Sequence, residues 1–411
     1  MMRSRGARMV ERKQYLQTLL SWKDEKVIKV VTGIRRCGKS TLLKQYQDYL
    51  TAHGVFNERI VSINLEELEN ENLLDYKSLY KYITDRLSPG SMTYVFLDEI
   101  QRVPDFEKVV DSLYVKDNID IYMTGSNAYL LSGDLATLLT GRYVEIPMLP
   151  LSFKEFCEMT SLSGEKAFAE YMKCGSLPYV ASMNRTEEKV DAYLEGIYNT
   201  VIVRDIEDRY ARKEEGKRKV TDIALLKTIA KYLASVVGSP VSVKGITDYL
   251  KLSGRKVSPN TVDDYVDALT ESFVFYPAER FDIVGKQLLK TNGKMYMVDL
   301  GLRNHILPRK QYDLGFSVEN IVFLELLRRG YRVSVGKEGN AEVDFVAKKN
   351  GTLAYYQVTA DMTSEATFDR EMQPLKSIRD NYAKSVLTLD HLTGGDYEGI
   401  KVVNVLDWLK E

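Results

Sequence analysis

The stretch Gly33-Ile34-Arg35-Arg36-Cys37-Gly38-Lys39-Ser40 decides the fold of the N-terminal part of this 411-residue chain. It fits the pattern GxxxxGK[ST] of a phosphate-binding loop, and it closely follows the apolar run from Val27 to Val31. In such a loop a buried strand leads to the ligand, glycines let backbone N–H groups approach the phosphates, and a helix begins there. The segment from Thr41 to Tyr46 is expected to form that helix. The stretch therefore predicts a site for ATP or GTP.

The residues of this loop have separate expected roles. Lys39 is expected to reach the β- and γ-phosphates, and the hydroxyl of Ser40 is expected to ligate Mg²⁺. The alternative is a glycine-rich turn with an exposed lysine, which the flanking strand and helix patterns disfavour. The predicted nucleotide-binding residues are Gly33, Ile34, Arg35, Arg36, Cys37, Gly38, Lys39, Ser40 and Thr41.

A second motif supports the first. The run from Tyr94 to Leu97 is apolar and typical of a strand, and it ends in Asp98 and Glu99. A strand buried on both faces of a parallel sheet brings its last residues to the carboxyl edge, where a phosphate loop also lies. We expect Asp98 to hold Mg²⁺ and Glu99 to polarise an attacking water. A strand ending in two solvated acids is the alternative, which the phosphate loop in the same chain disfavours.

Two further segments carry candidate residues for the nucleotide site, and the first of them is expected at this edge. The apolar run from Ile119 to Met123 breaks into Thr124-Gly125-Ser126-Asn127. Ser126 or Asn127 is therefore a candidate to sense the γ-phosphate or to orient water. Arg142 stands just before a predicted strand and is a candidate arginine finger or sensor. The alternatives are a plain strand-to-turn junction and a surface arginine.

The composition excludes some classes of protein and leaves others open. The chain has 57 Lys and Arg residues against 58 Asp and Glu residues, a net charge of −1. Charge therefore argues neither for nor against a nucleic-acid partner. The three cysteines show no metal-ligand spacing, so neither disulfides nor structural zinc are expected. No apolar run approaches the roughly 18 residues that span a bilayer, and the basic N-terminus lacks a signal-peptide core. We expect a cytoplasmic protein without a membrane partner.

The pattern of predicted elements divides the chain into four parts. Residues 1–150 alternate helical patterns with apolar strand patterns, as a parallel sheet with crossover helices requires, and predict a P-loop ATPase domain. Residues 151–220 are mostly helical and predict a lid or connector. Residues 221–305 predict a winged-helix-like domain, and residues 306–411 predict a nuclease-like α/β domain. The predicted fold class of the whole chain is therefore α/β.

The prediction of a winged helix rests on three short helical patterns followed by two strand patterns. Ser258 is expected to cap the third helix, and Thr291-Asn292-Gly293 is expected to form the turn before the last strand. The third helix, from Thr261 to Thr270, takes the position of a reading head, but it carries three aspartates and no Lys or Arg. Acidic side chains repel phosphates, so a protein partner is favoured and DNA stays an alternative.

Residues 306–411 contain most parts of a metal-dependent nuclease core. The PD-(D/E)XK core consists of a helix acid, a strand aspartate and a second strand with ExK, in which carboxylates bind Mg²⁺ and the lysine steadies developing charge. Glu319 and Asp344 match this core, whereas Gln357 and Thr359 occupy the ExK positions. One metal ligand and the cation are thereby lost. We expect a nuclease-like scaffold without nuclease activity, and an active nuclease stays an alternative.

Several short stretches carry a resemblance to a known family. They are Thr32 to Thr41, Phe96 to Gln101, Thr124 to Asn127, Gly141-Arg142, Pro150 to Phe153, Gly175 to Pro178, Val203 to Ile206, Asp299 to Leu302, Glu319-Asn320 and Glu342 to Phe345. With them the chain resembles the bacterial and archaeal AAA-type ATPases in which a phosphate-loop domain precedes a C-terminal domain of unknown function with a nuclease-like fold. The resemblance covers nearly the whole chain and implies ATP rather than GTP, with slow hydrolysis. Many members keep an acid and a lysine where this chain has Gln357 and Thr359, and a Gln-Val variant also occurs.

The resulting hypothesis is an ATP-dependent switch. ATP and Mg²⁺ bind at the loop, Glu99 activates water, and hydrolysis changes how the remaining domains sit on the ATPase core. Arg142 is expected to act within its own chain or from a neighbouring subunit, so an oligomer is compatible with the sequence. The alternatives are a nucleic-acid-binding protein regulated by ATP, an ATP-gated nuclease, and a scaffold with vestigial ATPase activity. The partner that responds to the switch, DNA or protein, stays open.

Overall fold

The computed structural model describes residues 9–125, 139, 141–201, 206, 222–307, 314–339 and 341–411. The chain divides into two compact units. The N-terminal unit comprises Met1–Pro150 and Glu271–Phe273, and the C-terminal unit comprises Leu151–Thr270 and Val274–Glu411. The candidate γ-phosphate sensors Ser126 and Asn127 lie outside the described residues.

The N-terminal unit is built on a five-stranded parallel sheet. The strand order is β2-β3-β4-β1-β5, and every pairing is parallel. The strands are β1 (Ile28–Thr32), β2 (Ile60–Asn64), β3 (Thr93–Asp98), β4 (Ile119–Gly125) and β5 (Tyr143–Pro147). The described helices of this unit are α1 (Lys13–Ser21), α2 (Lys39–Ala52), α3 (Tyr76–Thr84) and α4 (Phe106–Tyr114). The predicted α/β fold with a P-loop type of parallel sheet is confirmed.

The central strands of this sheet are buried on both faces. Every residue of β1 and β4 is buried, and so are the first five residues of β3. Such strands need apolar side chains on both faces, which is why they form nearly continuous apolar runs in the sequence. Because all five strands are parallel, their carboxyl ends meet at one edge, and β1 lies between β4 and β5. The loop after β1 therefore emerges at the carboxyl edge beside the end of β4.

A buried ion pair interrupts the apolar interior of the sheet. Lys29 Nζ of β1 lies 2.5 Å from Asp120 Oδ1 of β4, and both side chains are almost completely buried. Tyr122 donates its hydroxyl to Asp120 Oδ2 at 2.7 Å, and the hydroxyls of Tyr122 and Tyr46 are 3.0 Å apart. Hydrogen bonding offsets the cost of burying these polar groups. Since Tyr46 belongs to α2, the network ties the helix after the phosphate loop to two central strands.

The C-terminal unit contains a mixed eight-stranded sheet with the order β12-β13-β11-β10-β9-β8-β6-β7. Its strands are β6 (Phe275–Asp282), β7 (Gln287–Met297), β8 (Arg332–Glu338), β9 (Ala341–Lys349), β10 (Thr352–Thr359), β11 (Ala383–Thr388), β12 (Gly395–Tyr397) and β13 (Ile400–Asn404). The described helices after the N-terminal unit are α5 (Phe153–Thr160), α6 (Gly164–Cys174), α7 (Pro178–Ser182), α8 (Glu187–Tyr198), α9 (Ile223–Ser235), α10 (Val243–Leu252), α11 (Pro259–Glu271), α12 (Leu300–Ile306), α13 (Leu314–Arg328), α14 (Glu365–Ser377) and α15 (Val405–Trp408). None of the helices in the described ranges is long and apolar enough to cross a bilayer.

The elements of the predicted winged helix are present, with one error in their connection. The helices α9, α10 and α11 occur as expected, and Ser258 Oγ accepts a hydrogen bond from the N–H of Thr261 at 3.1 Å, which confirms its capping role. The predicted turn at Thr291-Asn292-Gly293 is wrong, because β7 runs through it. A Cβ on Gly293 would lie 2.6 Å from the carbonyl oxygen of Ala278 on β6. Close approach of two strands therefore accounts for this glycine.

The strands expected to form the wing belong to a larger sheet. β6 pairs with β8 in parallel, so the β6–β7 hairpin continues the sheet that contains β8 to β13. The residues assigned from the sequence to the winged-helix-like and nuclease-like parts thus share one sheet across the expected boundary at 305/306. The division into four domains stays a prediction, as do the descriptions winged-helix-like and nuclease-like.

A buried carboxylate holds two turns of the C-terminal unit together by hydrogen bonds. Asp299 caps α12 by accepting from the N–H of Leu302 at 2.8 Å, and it also accepts from the Ser176 hydroxyl at 2.8 Å. A Cβ on Gly175 would lie 2.3 Å from Asp299 Oδ1, and one on Gly301 would lie 2.2 Å from the carbonyl oxygen of Cys174. Both glycines are therefore needed for the close approach of α6 and α12.

Candidate nucleotide site

The backbone of the phosphate loop requires its two glycines. The loop joins the end of β1 at Thr32 to the start of α2 at Lys39. Gly33 has φ of 140° and Gly38 has φ of 108°, conformations that residues with a Cβ rarely adopt. A Cβ on Gly33 would also lie 2.2 Å from the carbonyl oxygen of Met148. The expected order of strand, glycine-rich loop and helix is present at these residues.

The side chains of the loop point in different directions. Lys39 is buried, and its Nζ donates to the carbonyl oxygens of Gly33 at 3.0 Å and Ile34 at 3.3 Å. The ammonium therefore lies over the loop backbone. The side chains of Ile34 and Cys37 are fully buried, so their contribution to a ligand would come from backbone groups. The side chains that reach solvent are those of Arg35, Arg36, Ser40 and Thr41.

The two predicted carboxylates lie beside the start of α2. Asp98 ends β3, and its side chain lies near the hydroxyl of Ser40. Burial raises the pKa of Asp98, and the nearby hydroxyls of Ser40 and Thr124 oppose this effect. Glu99 follows in a left-handed conformation with φ of 52°, and its side chain accepts a hydrogen bond from Gln101. The structure thus brings Ser40, Asp98 and Glu99 together.

Thr124, at the end of β4, connects the two carboxylate residues. Its hydroxyl donates to Asp98 Oδ1 and accepts from the backbone N–H of Glu99 at 3.0 Å. This one buried side chain fixes the carboxylate of Asp98 and the backbone of Glu99 at the same time. The sequence interpretation placed the sensing role at Ser126 or Asn127 and missed this contact. The apolar run that breaks at Thr124 was the signal for it.

The position of Arg142 does not support a role toward the nucleotide of its own chain. In the register of β5 on β1, Tyr143 lies beside Ile28 and Pro147 beside Thr32. Arg142 therefore stands at the amino-terminal edge of the sheet, opposite to the phosphate loop. Its guanidinium lies 3.3 Å from Asp111 Oδ1 on α4. The expectation of an arginine finger or sensor within the chain is corrected, and a role from a neighbouring subunit stays a prediction.

A buried arginine that sequence reasoning missed contacts the phosphate loop. Arg12 is 3% exposed, and its guanidinium donates to the carbonyl oxygen of Cys37 at 3.1 Å. It also donates to the carbonyl oxygens of Leu149 at 2.7 Å and Pro150 at 3.2 Å. Arg12 stands 25 residues before Cys37 and 137 residues before Leu149, so no local pattern indicates these contacts.

The three residues of the nuclease-like remnant lie in one polar region of the C-terminal unit. Asp344 of β9 accepts from the N–H of Val358 at 2.8 Å, and its own N–H donates to Gln357 Oε1 at 3.3 Å. Gln357 donates to Glu371 Oε2 of α14 at 3.0 Å. Across the described residues, no group of three His, Cys, Asp or Glu side chains is placed to hold a metal ion.

Lys294 of β7 lies among the acids of this region. Its Nζ is 3.0 Å from Glu319 Oε1, 2.9 Å from Glu342 Oε1 and 3.8 Å from Asp344 Oδ1. Burial lowers the pKa of Lys294, but the three carboxylates outweigh burial and the net shift is upward. Burial also raises the pKa of Glu319 and of Asp344, which Lys294 opposes. Lys294 was missed because it lies on a different strand from the ExK positions.

Two domain families match the chain. The AAA domain matches residues 25–157, a range that contains the phosphate loop, Asp98, Glu99 and Thr124. The domain of unknown function DUF8612 matches residues 165–313. The second match ends before Glu319, so residues 314–411 lie outside both. The sequence resemblance placed the domain of unknown function at the C-terminus, whereas the matched one occupies the middle of the chain.

Relatives that match most of the chain show the family. An uncharacterized protein of Haemophilus influenzae is 40% identical over 407 residues, which is 98% of each chain. An uncharacterized protein of Methanocaldococcus jannaschii is 29% identical over 406 residues, 92% of this chain and 85% of that protein. Among solved structures, a Walker-type ATPase of Pyrococcus abyssi aligns with a TM-score of 0.47 at 15% identity, covering 72% of this chain and 96% of that one.

The fold and the site define the class of the N-terminal part, which is an AAA-type P-loop domain. The chain as a whole belongs to the same family as the Haemophilus influenzae protein.

Proposed function

We propose that the chain is an ATP-binding protein and a Mg²⁺-dependent ATPase. The observation that carries the proposal is the position of the Ser40 hydroxyl, in the phosphate loop, close enough to Asp98, at the end of β3, to lower the pKa of that carboxyl group. It unites the two sequence motifs at one edge of the sheet, next to the N-terminus of α2. That edge combines the phosphate-binding end of a helix with a carboxylate and a hydroxyl.

The residues at this edge fit Mg²⁺. Mg²⁺ prefers hard oxygen ligands and is usually held by one or two protein groups together with phosphate oxygens. The Ser40 hydroxyl and the Asp98 carboxylate are such ligands, and they lie near each other. When bound, the ion would neutralise charge on the phosphates. Ser40 and Asp98 would hold it, and Thr124 keeps the carboxylate of Asp98 oriented.

The remaining residues act on the phosphates and on water. Lys39 would exchange its loop carbonyl partners for the β- and γ-phosphates, which stabilises the nucleotide electrostatically. Glu99 would accept a hydrogen bond from the attacking water and orient it toward the γ-phosphorus. Its left-handed backbone, fixed by Thr124, directs this side chain. ATP rather than GTP follows from the family resemblance.

The proposed role of hydrolysis is a conformational switch for the rest of the chain. Support comes from the last residues of the N-terminal unit. The N–H of Met148 donates to the carbonyl oxygen of Thr32 at 2.8 Å, so the segment leading to Pro150 lies directly beside the phosphate loop. A change in the loop therefore reaches the point where the chain passes into the C-terminal unit. The proposal is compatible with either DNA or a protein as the partner that responds to the switch. It is also compatible with an oligomer.

Calorimetric titration of ATP tests binding. Wild type is expected to bind ATP more tightly with Mg²⁺ than without it, whereas Ser40→Ala and Asp98→Asn lose the contribution of Mg²⁺ but keep binding in EDTA. A matched control is Ser62→Ala, which changes a hydroxyl on β2 away from the loop. Equal affinity with and without Mg²⁺ in wild type would contradict the proposal.

The alternative of an ATP-gated nuclease has less support. Lys294 neutralises the acids of the remnant, and Gln357 supplies an amide where a carboxylate ligand is expected. We propose that this region stabilises the C-terminal unit without cleaving nucleic acid. Mg²⁺-dependent cleavage of DNA or RNA that Asp344→Ala abolishes would overturn this. The alternative of ATP-regulated nucleic-acid binding would be supported by salt-dependent DNA or RNA binding that ATP alters.

A further inference from the structure

We propose that Arg12 is a positioning residue of the phosphate loop, which fixes the Cys37–Gly38 peptide and ties it to the segment that leaves the N-terminal unit. The proposal rests on the nucleotide function proposed above and concerns the same site. Arg12 lies outside the loop motif and precedes β1, in the arm that leads into α1.

The guanidinium of Arg12 holds two parts of the chain at once. One nitrogen donates to Cys37 O, and another donates to Leu149 O and Pro150 O. The ring of Tyr15 lies 5.0 Å from the guanidinium carbon. A planar group with five N–H donors can bridge separate carbonyl oxygens in a fixed geometry, whereas an ammonium is a single point.

The contact with Cys37 determines the direction of the next N–H group. A trans peptide unit is rigid, and its C=O and N–H point in opposite directions. The described residues contain no cis peptide bond. When Arg12 holds Cys37 O on the interior side, the N–H of Gly38 is directed to the other side of the loop. Gly38 is the N-cap of α2, where N–H groups lack acceptors within the helix and bind anions.

The second nitrogen of the Arg12 guanidinium contacts the segment by which the chain leaves the N-terminal unit. Leu149 is held by Arg12 through its carbonyl and by the Tyr15 hydroxyl through its N–H at 3.0 Å. After Pro150 the chain enters the C-terminal unit. If phosphate binding shifts the Cys37–Gly38 peptide, the shared guanidinium transmits the shift to Leu149 and Pro150. Arg12 then couples the position of the Cys37–Gly38 peptide to that of Leu149 and Pro150, so both segments respond to the bound nucleotide.

Gln45 supplies a matched control on the same arm. Its side chain accepts from the backbone N–H of Arg12 at 3.2 Å and donates to the carbonyl oxygen of Val10 at 2.8 Å. These bonds fasten the arm to α2 without the guanidinium. Gln45→Met loosens the arm but leaves the hold on Cys37 intact, whereas Arg12→Met removes the hold on Cys37.

The test measures the affinity for ATP and ADP of wild type, Arg12→Met, Arg12→Lys, Gln45→Met and Lys39→Ala, at a temperature where circular dichroism shows each to be folded. Loss of one hydrogen bond to a charged group predicts that Arg12→Met weakens both nucleotides about tenfold or more. Arg12→Lys is expected to fall between Arg12→Met and wild type, and Gln45→Met to stay within about twofold of wild type. Hydrogen exchange of the amides of Met148, Leu149 and Leu151 should respond to ATP in wild type and Gln45→Met but not in Arg12→Met.

Each possible result either supports or overturns the positioning role of Arg12. Wild-type affinity in Arg12→Met overturns the proposal, and so does an equal loss in Gln45→Met, which would make Arg12 an anchor of the arm only. Should Arg12→Met not fold, the comparison of Arg12→Lys with Gln45→Met decides in the same way. If wild type and Lys39→Ala both fail to bind ATP, the proposed function itself fails. If Lys39→Ala loses binding and Arg12→Met does not, only the inference about Arg12 fails.

Discussion

Lys294 Nζ lies 3.0 Å from Glu319 Oε1, and both side chains are buried. The hydroxyl of Tyr296 donates to the same Glu319 oxygen at 2.6 Å, so this carboxylate is held by two partners from β7. The contact joins the hairpin strand β7 to α13. It therefore links residues on either side of the boundary at 305/306 that the sequence pattern indicates between the winged-helix-like and the nuclease-like parts.

Removal of the Lys294 charge should destabilise the C-terminal unit. Lys294→Met leaves Glu319, Glu342 and Asp344 without their shared cation, and the loss of one partner of a buried ion pair costs about 3–5 kcal/mol. Urea unfolding measures the change. The control Lys348→Met, at an exposed position on β9, should shift the unfolding free energy by less than about 0.5 kcal/mol. A loss no larger than that of the control would contradict the role of Lys294. Adding Glu319→Gln to Lys294→Met is expected to restore part of the loss.

The close packing of Gly33 on Met148 should make the first loop glycine indispensable. Gly33→Ala combines an unfavourable φ with a Cβ that would lie 2.2 Å from a backbone oxygen, so the loop must move and ATP binding should be lost. Gly54→Ala is the matched control, because its φ of 89° is also positive but its Cβ would meet nothing within 4 Å. It should cost only about 1–2 kcal/mol of stability and keep ATP binding. Thermal unfolding and ATP titration on both variants check this. Retained ATP binding in Gly33→Ala would refute the loop geometry.

Asp299 and Asp222 cap helices in different surroundings and should differ in importance. Asp222 is exposed and accepts from the N–H of Leu225 at 2.8 Å, so Asp222→Ala is expected to cost about 1 kcal/mol. Asp299 is buried, and its loss leaves the donors of Ser176 and Leu302 without this acceptor. Each buried donor left unsatisfied costs about 1–3 kcal/mol, so Asp299→Ala should cost several times more than Asp222→Ala. Equal unfolding free energies for the two variants would be the contrary result.

The carboxylate of Asp98 should lower the stability of the nucleotide-free protein at neutral pH. Burial raises the pKa of Asp98, so the folded protein binds a proton at pH values where the unfolded chain has released it. Stability from this group therefore falls as the pH rises from the unfolded-state pKa of about 3.9 through the folded-state pKa, and it stays low above both. Asp98→Asn, which does not titrate, should be more stable than wild type at neutral pH, and this gain should shrink as the pH falls. Urea unfolding over a pH series checks it.

Asp75 is a control for this pH series, because its pKa is shifted in the opposite direction to that of Asp98. It caps α3, and hydrogen bonds from Ser78 lower its pKa. Its contribution is present above the unfolded-state pKa and is lost as the pH falls through the lowered folded-state pKa. Asp75→Asn should therefore lose no stability in strong acid relative to wild type. A gain of stability at neutral pH in Asp75→Asn but not in Asp98→Asn would contradict the account.

Local sequence patterns predicted the elements that local physics determines. The parallel strands β1 and β3 are buried on both faces, so their apolar runs were unambiguous, and the phosphate loop combines fixed glycine positions with a helix start. Ser258 was predicted as a cap because capping depends on residues three positions apart.

Contacts between distant parts of the chain were not predictable in the same way. Arg12 is hydrogen-bonded to Leu149, Thr124 is hydrogen-bonded to Asp98, and Lys294 forms an ion pair with Glu319. No periodicity in the sequence connects the two members of any of these pairs. Gly293 was assigned to a turn because glycine favours turns, whereas the closeness of a neighbouring strand is visible only in the fold. Arg142 was considered for the nucleotide site because it precedes a strand and is always charged, but only the parallel pairing of β5 with β1 shows that it lies at the edge opposite to the phosphate loop.

Steady-state phosphate release from ATP and Mg²⁺ tests the central claim most directly. The variants are Lys39→Ala, which removes the cation at the phosphates, and Glu99→Gln, which keeps the shape of the side chain but removes the charge that orients water. Thr51→Ala, on the far end of α2, is the matched control. The account predicts hydrolysis by wild type and Thr51→Ala, loss in Lys39→Ala and Glu99→Gln, and retained ATP binding in Glu99→Gln. Phosphate release by wild type no faster than by Lys39→Ala and Glu99→Gln would contradict an ATPase in this chain.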